Sequence, residues 1–276
     1  MDDFEFREDV GTEVVYGNGL VYGPPKTGKT TGLVTTAPGR VLYFNWDLKN
    51  ATRRGRQIAK EQGRVVPSEP NMPRFKRDQT PVFDMMTQAV YQAYEGMWDT
   101  VISDHIVEHF RRLLEEQTNR ARRPTLEARG NAWADIERWC RGMCEAPVNF
   151  VVVAHEMTLQ KGDELLSIPF VGSQGASVGG VGTKLKSMVD FIAYTGVIGQ
   201  EDEGLEFVAQ LQPGQGRDGA QRDAGSRFDA LMTETYRSLD LTEWFTAAGV
   251  HTGLPEKVET QSRNTKKATT RKASNV

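Results

Sequence analysis

Gly23-Pro24-Pro25-Lys26-Thr27-Gly28-Lys29-Thr30 fills every fixed position of the pattern G-x-x-x-x-G-K-[ST]. Each fixed position has a chemical reason. Glycine lets backbone N–H groups turn inward around phosphate oxygens, and a helix starting at the end of the loop adds its positive dipole end. Lys29 supplies a point charge for the outer phosphates, Thr30 a hydroxyl for Mg²⁺, and Thr31 a hydroxyl within reach of the α-phosphate. An apolar segment precedes the loop and helix-forming residues follow it, which is the context this motif requires.

Further groups able to do chemistry close short apolar runs. "VLYFNWD" ends at Asp47, "TVISD" at Asp104, and "VNFVVVAHE" at His155 and Glu156. Read by itself, Asp47 suits the N-cap of the helix expected after it. Asp104 suits Mg²⁺. Read by themselves, His155 and Glu156 simply end a strand in solvent. A competing pattern begins directly after Asp104. His105-x-x-Glu108-His109 has the H-x-x-E-H spacing of an inverted zinc-peptidase motif, and its two histidines, four apart, would share a helix face. Such a site needs a third protein ligand. The same residues read as an amphipathic helix with Ile106, Phe110, Leu113 and Leu114 inward, and this leaves the pair as ordinary surface histidines.

The elements that must position these groups alternate between strand and helix. A strand in 13–22 runs into the glycine loop, a helix follows, and a second strand ends at Asp47. Residues 50–63 read as helix, the proline-rich stretch 65–81 as exposed loop, and 81–96 as helix. After "TVISD" come two amphipathic helices broken near Pro124. "VNFVVVAHE" is a β-branched run typical of a strand buried on both faces. The glycine-rich loop Phe170 to Gly182, a helix to Met188, the strand "DFIAYTGVIG" and an expected antiparallel strand "LEFVAQLQPG" complete the series, before two short helices. The pattern predicts an α/β fold with a mostly parallel central sheet and the candidate groups at its carboxyl edge. Cys140 and Cys144, four apart, suit packing on one helix face better than a disulfide.

Base-reading motifs for guanine are missing: no D-x-x-G follows Asp104, and "NTKK" lacks the aspartate of N-K-x-D. ATP with Mg²⁺ is the expected ligand. The order "GPPKTGKTT", "WDTVISD", "AWADIERWCRGM", "VVVAHE", "GGVGTKLKSMVDFIAY" and "FVAQLQPGQGRDGAQRDAG", over residues 15–225, resembles phage nucleotide-binding proteins with a three-layer RecA-like P-loop NTPase core, among them single-strand annealing ATPases of the Sak type. The resemblance implies that Lys29, Asp47, Asp104, His155 and Glu156 act in catalysis, with Asp47 activating the attacking water, Asp104 supporting Mg²⁺ and His155 and Glu156 sensing the terminal phosphate, and that Gly23 to Thr31 holds nucleotide. It also implies single-stranded DNA at the glycine-rich loop with Lys184 and Lys186 behind it. Arg217 or Arg222 would reach a neighbouring subunit's nucleotide in a homo-oligomeric ring or filament, or else remain an exposed loop charge. Two departures stand out: Asp47 where the family usually has Glu, and His105 where a Ser is usual.

The 276 residues carry a net charge of −3, 38% hydrophobic and 26% charged residues, values that point to a globular chain without a global field for nucleic acid. No apolar run approaches the length of a membrane span, and the acidic start lacks a signal-peptide pattern, so the expected setting is cytoplasmic. The core is expected over 1–252, with an acidic segment to about residue 12. Residues 253–276 are basic and polar and are expected to form a disordered tail, either simply solvated or an arm for nucleic acid or a single-strand-binding protein. The alternative to a DNA-dependent ATPase is a slowly hydrolysing ATP switch that recruits replication or packaging proteins.

Overall fold

The computed structural model describes residues 14–47, 50–70, 81–118, 123–161, 164–170, 181–199, 206–211, 227–228, 231 and 237–253. Its elements follow in order: β1 (Asn18–Gly23), α1 (Lys29–Thr36), β2 (Val41–Asn45), α2 (Arg53–Glu61), α3 (Val82–Tyr94), β3 (Thr100–Asp104), α4 (Ile106–Gln117) and α5 (Leu126–Glu145). Then come β4 (Asn149–Lys161), β5 (Glu164–Phe170), α6 (Val181–Lys186), β6 (Phe191–Ile198), β7 (Glu206–Gln210) and α7 (Leu241–Ala247).

Strands β2-β3-β4-β1-β6 run parallel in that spatial order, with β7 antiparallel on β6 and β5 antiparallel on β4. Side chains alternate between the two faces, as a pleated strand requires. Leu20, Tyr22, Leu42, Phe44, Val101, Phe150, Val152 and Ala154 pack under α3, α4 and α5. Val21, Val41, Tyr43, Ile102, Val151 and Val153 pack with Leu33 of α1 and with Trp244 and Phe245 of α7. The molecule is thus a three-layer α/β core with a mostly parallel sheet, as the RecA-like reading expects.

Register brings the chemical groups together. Gly23 pairs with His155, Asn45 with Asp104, and Asp104 with Val153, so β1, β2 and β3 all end along one edge. The fourth parallel strand does not end there. β4 continues past His155 and Glu156 to Lys161 and turns back as β5. His155 and Glu156 therefore lie within a strand, at the point where its pairing passes from β1 to β5. The two-residue Gly162-Asp163 separation between alternating segments is the hairpin signal that the sequence carried for this. Part of the expected proline-rich loop also joins the sheet, where Ser68 exchanges backbone hydrogen bonds with Val41 and Tyr43. Of the two short closing helices, α7 lies among the described residues; the basic tail beyond residue 253 lies outside them. No helix among the described residues is long and apolar enough to cross a membrane.

Cys140 and Cys144 pack on one face of α5 as free thiols. His109 departs from its surface reading. It falls between Ile106 and Leu113 on the buried stripe of α4, fully enclosed. Its ring stacks on Trp46 (centroids 3.9 Å, planes 12° apart) and meets Trp139 edge-on. Neither ring nitrogen finds a hydrogen-bond partner among the described residues. Burial, with the Arg112 charge adding, pushes the His109 pKa down to about 3. The unfolded chain, with an ordinary value near 6.5, therefore binds one more proton between these limits. Stability is present above about pH 6.5 and falls with pH through that window, by at most about 1.4 kcal/mol per pH unit. Urea unfolding of the wild type at pH 7, 6 and 5 is expected to show this fall. His109→Phe keeps the stack, removes the titrating ring and should flatten the slope; an identical slope in the variant would rule the account out.

Candidate nucleotide-binding site

The loop between β1 and α1 is built for an anion. Gly28 stands at the N-cap of α1 in the left-handed region (φ 77°), and no side chain caps the helix. The first turn holds Lys29, Thr30 and Thr31 and no acidic residue, so the positive end of the helix is left for a ligand. Gly23 must be glycine: with φ 151°, an added Cβ would lie 2.3 Å from the Thr195 carbonyl oxygen on β6. Thr195 supports the loop a second time through a 2.7 Å contact between its hydroxyl and that of Thr27.

Lys29 is buried, and its Nζ donates to the carbonyl oxygens of Gly23 (2.8 Å) and Pro24 (2.6 Å). Burial lowers its pKa to about 8, against the opposing pull of the Asp104 and Glu156 carboxylates. Two carbonyl dipoles are weak compensation for a buried ammonium, and a phosphate entering the loop would supply the missing counter-charge.

Asp104 is the hub of the site. Its Oδ2 accepts hydrogen bonds from Thr30 Oγ1 and from the Tyr43 hydroxyl, both at 2.6 Å. Burial first, and then the Asp104 carboxylate, hold the Tyr43 pKa well above its ordinary value, so the hydroxyl remains a donor. Thr30 and Asp104 offer hard oxygen donors side by side, the donor set that suits Mg²⁺. Together with the anion-ready loop, these residues fit a Mg²⁺–nucleotide.

Asp47 is placed by the residue before it. Trp46 is buried between Phe44 and His109, donates from Nε1 to Ser103 Oγ (2.9 Å), and is tied by its backbone N–H to the Asp104 carbonyl (2.8 Å). Arg112 Nε donates to the Trp46 carbonyl (2.7 Å). The helix after Asp47 starts later than expected: a 3₁₀ turn spans Asn50–Thr52 and Thr52 is the N-cap of α2. Asp47 is therefore not that cap.

His105 and His155 face each other with ring centroids 4.1 Å apart. Burial lowers both pKa values. For His105 it outweighs the carboxylates of Asp104, Glu108 and Asp47, and His155 is brought to about 4, with His105 and Lys29 adding to the effect. Both rings are neutral at pH 7. Glu156 accepts a hydrogen bond from Ser167 Oγ on β5, which ties it to the hairpin.

The two lysines expected behind the glycine-rich loop both fall on α6. Lys184 on α6 pairs with Glu137 of α5 (2.8 Å), and Lys186 is half-buried, its pKa lowered by burial. Residues 171–180, Arg217 and Arg222 lie outside the described residues. Beside the loop, a cavity of about 600 Å³ is lined by Lys26, Thr31, Arg54, Ile58, Phe207 and Leu239. Phe207 on β7 covers Gly28, where an added Cβ would come within 3.0 Å of its ring. Tyr43, Thr195 and Phe207 carry no motif: each is an ordinary strand residue whose place depends on the register of a distant strand.

A loop of this form between the first strand and helix of a mostly parallel α/β sheet, facing an aspartate at the end of β3, one strand beyond β4, defines a P-loop NTPase. Residues 17–223 match the family model described as an AAA domain, and the chain belongs to that family. A comparison with curated proteins finds no match. Among solved structures, the chain is similar to a KaiC-like protein of the archaeon Pyrococcus horikoshii, with TM-score 0.42 and 10% identity over 75% of this chain and 84% of that one. It is also similar to the flagellar accessory protein FlaH of Methanocaldococcus jannaschii, with TM-score 0.39 and 11% identity over 73% and 80% of the two chains.

Tyr43→Phe tests the hub. It leaves a buried carboxylate oxygen with one donor fewer, and a hydrogen bond to a charged group contributes about 2 kcal/mol. Denaturant unfolding should show a loss of that order; a difference below about 0.5 kcal/mol would mean that the hydroxyl does not hold Asp104.

Proposed function

We propose that the chain is a Mg²⁺-dependent ATPase that assembles on single-stranded DNA as a homo-oligomer and promotes annealing or strand pairing. The observation that carries hydrolysis is the convergence of Lys29, the Thr30–Asp104 pair and Asp47 on one sheet edge. Lys29 would leave its two carbonyl partners for the phosphates. A Mg²⁺ held by Thr30 and Asp104 would neutralise charge developing on them. Asp47 would orient the attacking water and take its proton, held in place by the buried Trp46. His155 and Glu156, beside β5, would relay the state of the terminal phosphate into the hairpin. The cavity under Phe207 is of a size for base and ribose, with Phe207 stacking on the base.

Support for DNA is of another kind. It comes from the resemblance to annealing ATPases, from the hairpin leading into the glycine-rich loop, and from the basic tail. Arg217 and Arg222 are candidates for a charge delivered to a neighbour's nucleotide. The short Asp47 side chain favours a second reading, a slow switch that holds ATP and recruits replication or packaging proteins, because a carboxylate set back by about an ångström orients water poorly.

Two measurements test these assignments. ATP turnover with and without single-stranded DNA should rise with DNA, vanish in Lys29→Ala and increase in Asp47→Glu. Unchanged turnover and sedimentation at saturating DNA would sink the DNA reading. Phe207→Ala should weaken ATP binding about tenfold while leaving inorganic tripolyphosphate binding unaltered; equal losses for both ligands would remove the base from that cavity.

A further inference from the structure

We propose that Asp47, His105 and Glu108 form a binding site for a zinc-class divalent cation, distinct from the oxygen-donor Mg²⁺ site at Thr30 and Asp104. One ligand atom from each of the three residues lies within 4.8 Å of the other two. Small side-chain rotations bring such a set onto one ion at the roughly 2.0–2.2 Å that zinc requires. The three come from separate places: the turn after β2, the residue following β3, and the first turn of α4. His105 is the N-cap of α4, with extended backbone, and Glu108 stands in its first turn.

The packing explains why this trio, and not the H-x-x-E-H histidine pair, is the candidate. Trp46 holds His109 inward by stacking, which removes it from any ligand set, and the residue after Trp46 supplies the third donor. His105 Nδ1 is out of solvent and has no hydrogen-bond partner among the described residues. A buried imidazole nitrogen without a partner is costly, and a metal ion or a donor carried with it would satisfy it. Glu108 already accepts from Arg111 through Oε2 (2.7 Å), an arrangement that orients a ligating carboxylate from outside and leaves its other oxygen for the ion. One imidazole and two carboxylates suit zinc or manganese, whereas Mg²⁺ prefers oxygen alone. Three protein ligands leave a position for water.

Occupancy would engage the Asp47 carboxylate, so the cation would act as a brake on turnover. That consequence, unlike the site itself, rests on the proposed role of Asp47.

Titration calorimetry of tag-free, metal-stripped full-length protein with Zn²⁺, in excess Mg²⁺ and without nucleotide, tests the site. One Zn²⁺ per chain is expected, with affinity reduced at least tenfold in His105→Gln and in Glu108→Gln and retained in Thr30→Ala. Zn²⁺ should raise the wild-type Tm and leave that of His105→Gln unmoved, which separates lost binding from lost folding. Absence of stoichiometric Zn²⁺ binding, or equal affinity in the His105 and Glu108 variants, overturns the proposal. Turnover measured alongside should fall with the same Zn²⁺ midpoint. Stoichiometric binding without inhibition would uphold the site and overturn the water-activating role of Asp47.

Discussion

A single buried carboxylate organises this molecule. Asp104 Oδ2 accepts from Thr30 on α1 and from Tyr43 on β2, so one oxygen fastens the phosphate loop's helix, the strand leading to Asp47 and its own strand. Ionised carboxylates are seldom buried unless paired or hydrogen-bonded, and here two hydroxyl donors provide the bonds. The same arrangement places the Thr30 hydroxyl oxygen beside the Asp104 carboxylate, which is what a hard cation needs. Structural and chemical roles therefore meet in one group, and the site is tied directly to the hydrophobic layers beneath it.

The rest of the carboxyl edge follows from burying polar groups beside that hub. Lys29, His105 and His155 are all desolvated, and for each the charged form is disfavoured. The edge holds a strained balance: an ammonium held by two carbonyls and the Thr27 hydroxyl, and two neutral imidazoles in contact, beside the carboxylates of Asp104, Asp47 and Glu108. Such an arrangement is responsive to arriving charge, whether phosphate at the loop or a cation near Asp47. Trp46 is the mechanical counterpart. It is clamped by stacking and by hydrogen bonds to Ser103, Asp104 and Arg112, and so sets where the chain leaves β2. On the opposite side of β1, Thr195 sets the height of the loop through Gly23 and Thr27.

Much of this was legible in the chain. The phosphate loop, the alternation of strands and helices, the aspartates at or just beyond two strand ends and the buried face of α5 all follow from local pattern, because glycine geometry, dipoles and side-chain periodicity act over a few residues. The His109 position was misread because a histidine in an otherwise apolar stripe looks polar until its aromatic neighbours are known. The antiparallel return of β5 along β4 is a further feature that the β-branched run ending at His155 and Glu156 does not announce. Tyr43, Thr195 and Phe207 were invisible for a different reason: their roles depend on which strands lie side by side, and pairing between β1, β4 and β6 joins residues well over a hundred positions apart. The sequence by itself determined that the chain has an anion-binding loop ahead of a mostly parallel α/β sheet with acidic strand ends. Only the tertiary structure decided that Thr30 and Tyr43 share one carboxylate oxygen, that His109 turns inward, and that Asp47 comes beside His105 and Glu108, because these contacts are set by strand register and aromatic packing between distant segments.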